Sequence, residues 1–122
     1  MDGVFMRVII AGSRGITDIK IIAEAVAESE FKITSVVSGT ARGVDKLGEE
    51  WAKTNGIDLI QYPANWNKYG KLAGYRRNVE MASDCDALIA IWDGESNSNT
   101  AHIIDTAEQY GLEVFVYEYE KK

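Results

Sequence analysis

The chain has 122 residues, a length that suits one compact domain of the usual ~100–150 residues, spanning 1–122 with its core near 7–117. Thirteen Lys and Arg against nineteen Asp and Glu give a formal net charge of −6, which disfavours nucleic-acid binding driven by counterion release from basic patches. No window approaches the ~20 consecutive apolar residues of a membrane helix, and the opening MDGVFMRV lacks a basic segment followed by an apolar one, so neither a membrane partner nor a secretory signal is expected.

Short β-branched runs alternate with segments of helical period. Arg7-Val8-Ile9-Ile10-Ala11 is too short for a helix and rich in branched side chains, so it predicts a buried strand that breaks at Gly12-Ser13-Arg14-Gly15. Ile19, Ile22 and Val26 then recur at helical spacing and predict a helix from about Asp18 to Glu30, capped by Thr17 or Asp18. The unit repeats: a strand over Ile33–Ser38, a turn at Gly39–Gly43, and a helix from Asp45 to Asn55 with Leu47 and Trp51 inward, stopped by Gly56. A third strand covers Ile57–Tyr62 and ends at Pro63, the only proline. Asn65–Gly70 predicts a polar, aromatic loop, and Lys71 to Ser83 a helix with Leu72, Tyr75, Val79 and Ala82 on its buried stripe. Asp86–Trp92 predicts a fourth strand, Asp93–Asn99 a loop, Thr100–Tyr110 a last helix stopped by Gly111, and Glu113–Tyr117 a last strand. Strands alternating with helices imply right-handed βαβ crossovers. The expected fold is a Rossmann-like three-layer α/β/α domain with a parallel sheet of about five strands.

In such sheets ligands collect beyond the carboxyl ends of the strands, at the switch in strand order. Three strand ends carry small, polar or glycine-rich loops: Gly12 to Gly15; Gly39, Thr40, Ala41, Arg42 and Gly43; and Asp93, Gly94, Ser96, Ser98, Asn99 and Thr100. Each precedes a predicted helix N-terminus, where unpaired N–H groups and the helix dipole favour an anion. Ser13, Thr40, Ser98 and Thr100 add hydroxyls, and Arg14, Arg42, Arg76 and Arg77 add charge suited to phosphate or carboxylate. For any one loop the alternative is conformational, with glycine present for a positive φ and Ser or Thr as a cap. Neither the dinucleotide signature GxGxxG nor the Walker spacing is present. Three such loops at one sheet edge point to a phosphate-bearing ligand.

The segments GSR, SGTARGVDKLGEEWA, PANWNKYGKLAGYRRNVEM and DALIAIWDGESNSNTAHIIDTA together resemble the YspA/YpsA-related branch of the SLOG superfamily, over about Arg7 to Tyr117. That superfamily also holds the LOG phosphoribohydrolases, the DNA-processing protein DprA and nucleotide-sensing domains of bacterial defence systems. The resemblance implies a pocket for a nucleotide or nucleotide-derived ligand, with Gly12 and Ser13 on the base or ribose side and Gly39, Ala41 and Gly43 beside the phosphates. It places Arg77, within RNVEM and flanked by Arg76 and Asn78, on the arginine of the LOG enzymes' RK-x-x-M segment, and Asn99-Thr100 on the GT of their PGGxGT loop. It also implies a homo-oligomer paired through helices beside the pocket.

Two positions depart from that pattern: Asn99 replaces a glycine, and the family's acidic residue falls on Ile103. N-glycoside cleavage needs a carboxylate to support oxocarbenium character or activate water. The acids left nearby are Asp45, Asp93, Glu95 and Asp105. Asp93, at a strand end, is the candidate catalytic residue; Asp45 reads as a cap or ligand contact, and Asp105 as solvated.

Trp66 and Tyr69 flank a polar loop and are candidates to stack on a base or, equally, to bury against a second subunit, whereas Trp51 and Trp92 read as core. Cys85 reads as a small buried apolar residue, and His102 as a surface or capping group with ligand contact as the alternative. One Cys and one His build neither a disulfide nor a zinc site, and no metal or cofactor is expected. Glu28, Glu30, Glu49 and Glu50 read as a solvated face. The expected function is a cytoplasmic binding protein that senses or sequesters a nucleotide-derived phosphate ligand. The alternatives are LOG-like N-glycosidase action on nucleoside 5′-phosphates and, against the charge, single-stranded DNA binding.

Overall fold

The computed structural model describes residues 5–94 and 99–119. Five strands, β1 (Arg7–Gly12), β2 (Ser35–Ser38), β3 (Asp58–Gln61), β4 (Ala87–Trp92) and β5 (Glu113–Glu118), form one sheet in the order β3-β2-β1-β4-β5. Every neighbouring pair is parallel, with Val8 beside Val36 and Ala87, and Ala87 beside Glu113. The helices are α1 (Lys20–Ser29), α2 (Val44–Thr54), α3 (Trp66–Tyr69), α4 (Ala73–Asp84) and α5 (Asn99–Gln109), with a 3₁₀ turn over Gly70–Leu72 between α3 and α4.

The period-two alternation of each strand sends its side chains to two separate cores. Val8, Ile10, Val36, Ile89 and Ile91 meet Ile22 and Ala25 of α1 and Val44 and Ala52 of α2. Ile9, Ala11, Val37, Leu88 and Ala90 meet Met81 of α4 and Ile103 and Ala107 of α5. Three layers result, and β4 is covered on both faces from Ala87 to Ile91, which is why it reads as an uninterrupted apolar run. Among the described residues no helix is long and apolar enough to cross a membrane.

The structure corrects several expectations. Residues 66–69 form the short helix α3 rather than loop, because the Asn65 side chain accepts the Lys68 N–H (3.1 Å) and so caps a turn in a segment with little apolar signal. In α1, Asp18 accepts the Lys20 N–H through Oδ1 at 3.0 Å, but the helix itself starts at Lys20. The face of α4 is rotated: Leu72, Tyr75 and Val79 are exposed at 61%, 43% and 38%, while Ala73, Gly74, Arg77, Asn78, Met81 and Ala82 face inward. Glu49 is buried rather than solvated, accepting the Ser38 hydroxyl at 2.7 Å and pairing with Lys46 at 3.6 Å. Cys85 is half-buried, and burial beside Asp84 pushes its thiol up to about 12, leaving an inert thiol at neutral pH.

Candidate functional site

The chain runs β1 to β2 to β3 in one direction, then crosses back to place β4 on the other side of β1. Connections leave β1 and β4 toward opposite edges, and the crevice between their carboxyl ends is the position where open α/β sheets bind ligands. A cavity of about 390 Å³ opens there, lined by Gly12, Ser13 and Arg14 after β1, Ala41 and Asp45 after β2, Asp93 after β4, and Asn99 and Thr100 at the start of α5. A second cavity of about 350 Å³ shares Arg14 and Ala41 with the first and adds Gly39, Thr40, Arg42, Pro63, Ala64, Trp66 and Arg77. The two adjoin along that shared wall.

Backbone contacts set the shape of the first cavity. Ser13 donates its N–H to Ile91 O at 3.0 Å, accepts the Val44 N–H at 3.3 Å, and accepts the Asp93 N–H on Oγ at 3.3 Å. One serine thus ties together the loops after β1 and β4 and the start of α2. Gly12 is demanded by this closeness, since a Cβ there would lie 2.2 Å from Ile91 O.

Asp45 occupies the N-terminal turn of α2, where sequence reasoning placed an anion. Its Oδ2 accepts the Ala41 N–H at 3.1 Å, so the chain's own carboxylate sits at this helix start. Burial raises its pKa to about 6, against the lowering effects of the Ala41 N–H and of the Arg77 charge. The first loop does not abut a helix either, because α1 begins only at Lys20. Of the three expected helix-end anion sites, α5 alone has its N-terminus on a cavity wall and no acid in its first turn.

The second cavity is built around Arg77. Its Nε donates to Asn78 Oδ1 at 3.0 Å and its Nη1 donates to Gly39 O, which fixes the guanidinium as a wall. Burial pushes the Arg77 pKa down, and the neighbouring Asp45 charge opposes that. A Cβ on Gly39 would lie 2.6 Å from Nη1 and 2.9 Å from Asp45 Oδ2, so only glycine fits between arginine and carboxylate. Thr40 holds φ +67, uncommon for a β-branched residue, and is braced by its N–H donating to Ser38 Oγ at 3.0 Å. Ser38 in turn rests on buried Glu49.

Other predicted residues lie elsewhere. Gly43 packs against the Ser13–Arg14 backbone rather than lining either cavity. Asn78 is fully buried behind the wall. Arg76 lies over the Tyr69 ring, 4.1 Å from its centroid, in a hollow with Lys68 and Glu80 that shares Pro63 and Arg77 with the second cavity, so Tyr69 is covered by a cation while Trp66, 55% exposed, lines the second cavity itself. Gly94 is an exposed turn residue at φ +94; Ser96 and Ser98, with Glu95, lie outside the described residues. Ile103 is completely buried in the core and supplies no carboxylate. Among the described residues no group of three or more His, Cys, Asp and Glu is placed to hold a metal ion. Sequence reasoning missed the roles of Glu49 and His102, both of which depend on partners distant in sequence: Ser38, Asn78 and Tyr75.

The family model for the YspA, cpYpsA-related SLOG family matches residues 6–69. The Gene 61 protein of Mycobacterium phage D29 is 33% identical over 118 residues, covering 88% of this chain and 93% of the phage protein. Among solved structures, DNA processing protein A (DprA) from Streptococcus pneumoniae superposes with a TM-score of 0.75 at 20% identity, a likeness of fold. That match takes in 92% of this chain but only 50% of the DprA chain. The family match covers the first three strands with the loops after β1 and β2, and the phage relative extends the likeness across nearly the whole length: the chain belongs to the YspA, cpYpsA-related SLOG family.

Proposed function

We propose that this protein binds a nucleotide or nucleotide-derived phosphate ligand, acting as a sensor or sequestering protein. The observation that carries the reading is the division of charge between two adjoining cavities at the switch point. Asp45 and Asp93 line the first, which shares Arg14 along the common wall; Arg42 and Arg77 line the second, whose described lining holds no carboxylate. A phosphate dianion is repelled by the first and attracted by the second, where arginine offers paired donors to its oxygens. Ribose hydroxyls and base amino groups are donors, and the carboxylates accept them. The ligand class that satisfies both is a nucleoside carrying phosphate, its phosphate toward Arg42 and its sugar toward Asp93.

Calorimetric titration with adenosine 5′-monophosphate, other nucleoside phosphates, ADP-ribose and cyclic nucleotides tests this. A true ligand at 100 times its Kd stabilises the fold by about 2.7 kcal/mol, visible as a rise in Tm. Arg42→Ala weakens the nucleotide but not the free nucleoside, while Asp93→Asn weakens the nucleoside. Absence of any bound nucleotide overturns the reading.

A second reading, N-glycoside hydrolysis, is favoured by one observation: Asp45, whose pKa burial raises to about 6, shares a cavity with a second carboxylate, Asp93. Release of free base from a nucleoside 5′-phosphate, abolished in Asp93→Asn, would establish it; no release by the wild type removes it.

A further inference from the structure

We infer that Asn78 and His102 form a positioning pair that holds one wall residue of each cavity, Arg77 and Asn99, and that the pair holds only while the His102 imidazole is neutral. This rests on the nucleotide-binding reading for its functional consequence, but the pair itself is a matter of hydrogen-bond geometry.

Asn78 accepts the Arg77 Nε–H on Oδ1 at 3.0 Å, which fixes which way its amide points. Its Nδ2 then faces α5 and donates to Asn99 Oδ1 at 2.9 Å and to His102 Nδ1 at 3.0 Å. Both amide hydrogens and the carbonyl are thereby used, and Asn78 is fully buried. An amide NH₂ group cannot accept, so Nδ1 must carry a lone pair and the ring proton sits on Nε2. The ring is stacked against Tyr75, centroids 4.0 Å apart and planes 17° from parallel, which fixes its plane, and the Asn78 hydrogen bond selects the edge that carries Nδ1.

Protonation places a hydrogen on Nδ1 facing the amide donor. Two donors then oppose each other and the pair parts: Thr106 Oγ1, 3.5 Å from Nδ1, can take the new N–H, and the amide, having lost its acceptor, is free to turn over. That would aim NH₂ at the Arg77 Nε–H and take the donor from Asn99. One protonation therefore loosens Arg77 in the second cavity and Asn99 in the first.

The groups around the ring favour the neutral form. From α4 it faces Tyr75 and Asn78; from α5 it faces Thr106, whose hydroxyl donates to His102 O at 2.8 Å, and Asp105. The strands under α5 present the apolar Ile9, Leu88, Ala90, Val114 and Val116. Burial pushes the imidazole pKa below its usual value, with Asp105 opposing. Acting through Arg77 and Asn99, His102 positions the site without lining either cavity.

His102 is the only histidine, so its NMR signals are unambiguous. The first arm needs no ligand: ¹⁵N spectra across pH 5–8 report the imidazole tautomer, the Arg77 Nε–H and the Asn99 side-chain amide. The expected result is a lone pair on Nδ1, a midpoint below the usual ~6.5, and Arg77 and Asn99 signals with a component at that midpoint in the wild type that His102→Asn lacks, while the Arg77 response to neighbouring Asp45, with its pKa of about 6, persists in both. The second arm measures adenosine 5′-monophosphate affinity over the same range. His102→Asn, which keeps an acceptor toward Asn78, retains neutral-pH affinity. The wild type loses affinity relative to it in acid by up to about tenfold per pH unit below the midpoint, as the competent fraction falls. His102→Phe, which keeps the stack and loses the acceptor, binds weakly at every pH. A proton on Nδ1, or Arg77 and Asn99 signals indifferent to the His102 midpoint, overturns the inference. If those signals respond but no nucleotide binds, the pair stands and the nucleotide reading alone fails.

Discussion

Asp45 combines three properties that rarely coincide: it is 4% exposed, it accepts a backbone N–H at a helix start, and it lines a cavity. Burial dominates, and a carboxyl whose folded pKa is raised from 3.8 to about 6 holds its proton longer in the folded chain than in the unfolded one. The stability linked to it is fully present below about pH 4 and is lost as pH rises through about 6. Asp45→Asn removes that loss while keeping an acceptor for the Ala41 N–H. The variant should gain about 1–3 kcal/mol over the wild type at pH 8 and little at pH 4, as read by urea denaturation. His102 acts in the opposite sense. Its folded pKa is lowered, so its linked stability is fully present above ~6.5 and falls as pH drops from there toward the folded value. The Asp45 contribution is therefore read as the difference between variant and wild type. Binding should change with stability in a predictable direction, since the carboxylate that costs the fold is one the ligand would contact.

At the scale of elements, periodicity made the order of strands and long helices legible because each strand is short and branched and each long helix has an apolar stripe. α4 shows where that reasoning breaks. Its apolar Tyr75 and Val79, and Leu72 just before it, recur at helical spacing but are exposed, while Arg77 and Asn78 are buried. A sequence pattern cannot foresee this, since the burial of Arg77 is sustained by Gly39 O, Asn78 and the Asp45 charge, two of them on another element or its flanking loop. The loops of the site were legible as glycine-rich strand ends. Which of them had its helix dipole already satisfied was not, because Asp45 folds back on Ala41. The rotated face makes a direct prediction. Val79→Lys should shift unfolding free energy by no more than about 0.5 kcal/mol. Met81→Ala, two residues on and 1% exposed, should cost about 2–5 kcal/mol, both measured by denaturant titration.

Across the whole molecule, stability is graded from the centre of the sheet outward. β1 and β4 are paired on both sides and lie between two helical layers, whereas β3 and β5 each have one partner strand among the described residues. Amides of Val8–Ala11 and Ala87–Ile91 should exchange with deuterium only through global unfolding, and those of β3 roughly ten- to a hundredfold faster, in a hydrogen-exchange measurement by NMR. The site therefore hangs from the most durable pair of strands. The outer borders of the sheet carry a separate consequence. β3 is four residues long with exposed Asp58 and Gln61 at its ends, and β5 is bounded by exposed Glu113 and Glu118. Short, polar or like-charged rims give an incoming backbone little to zip onto. Concentrated solutions should accordingly resist fibre growth.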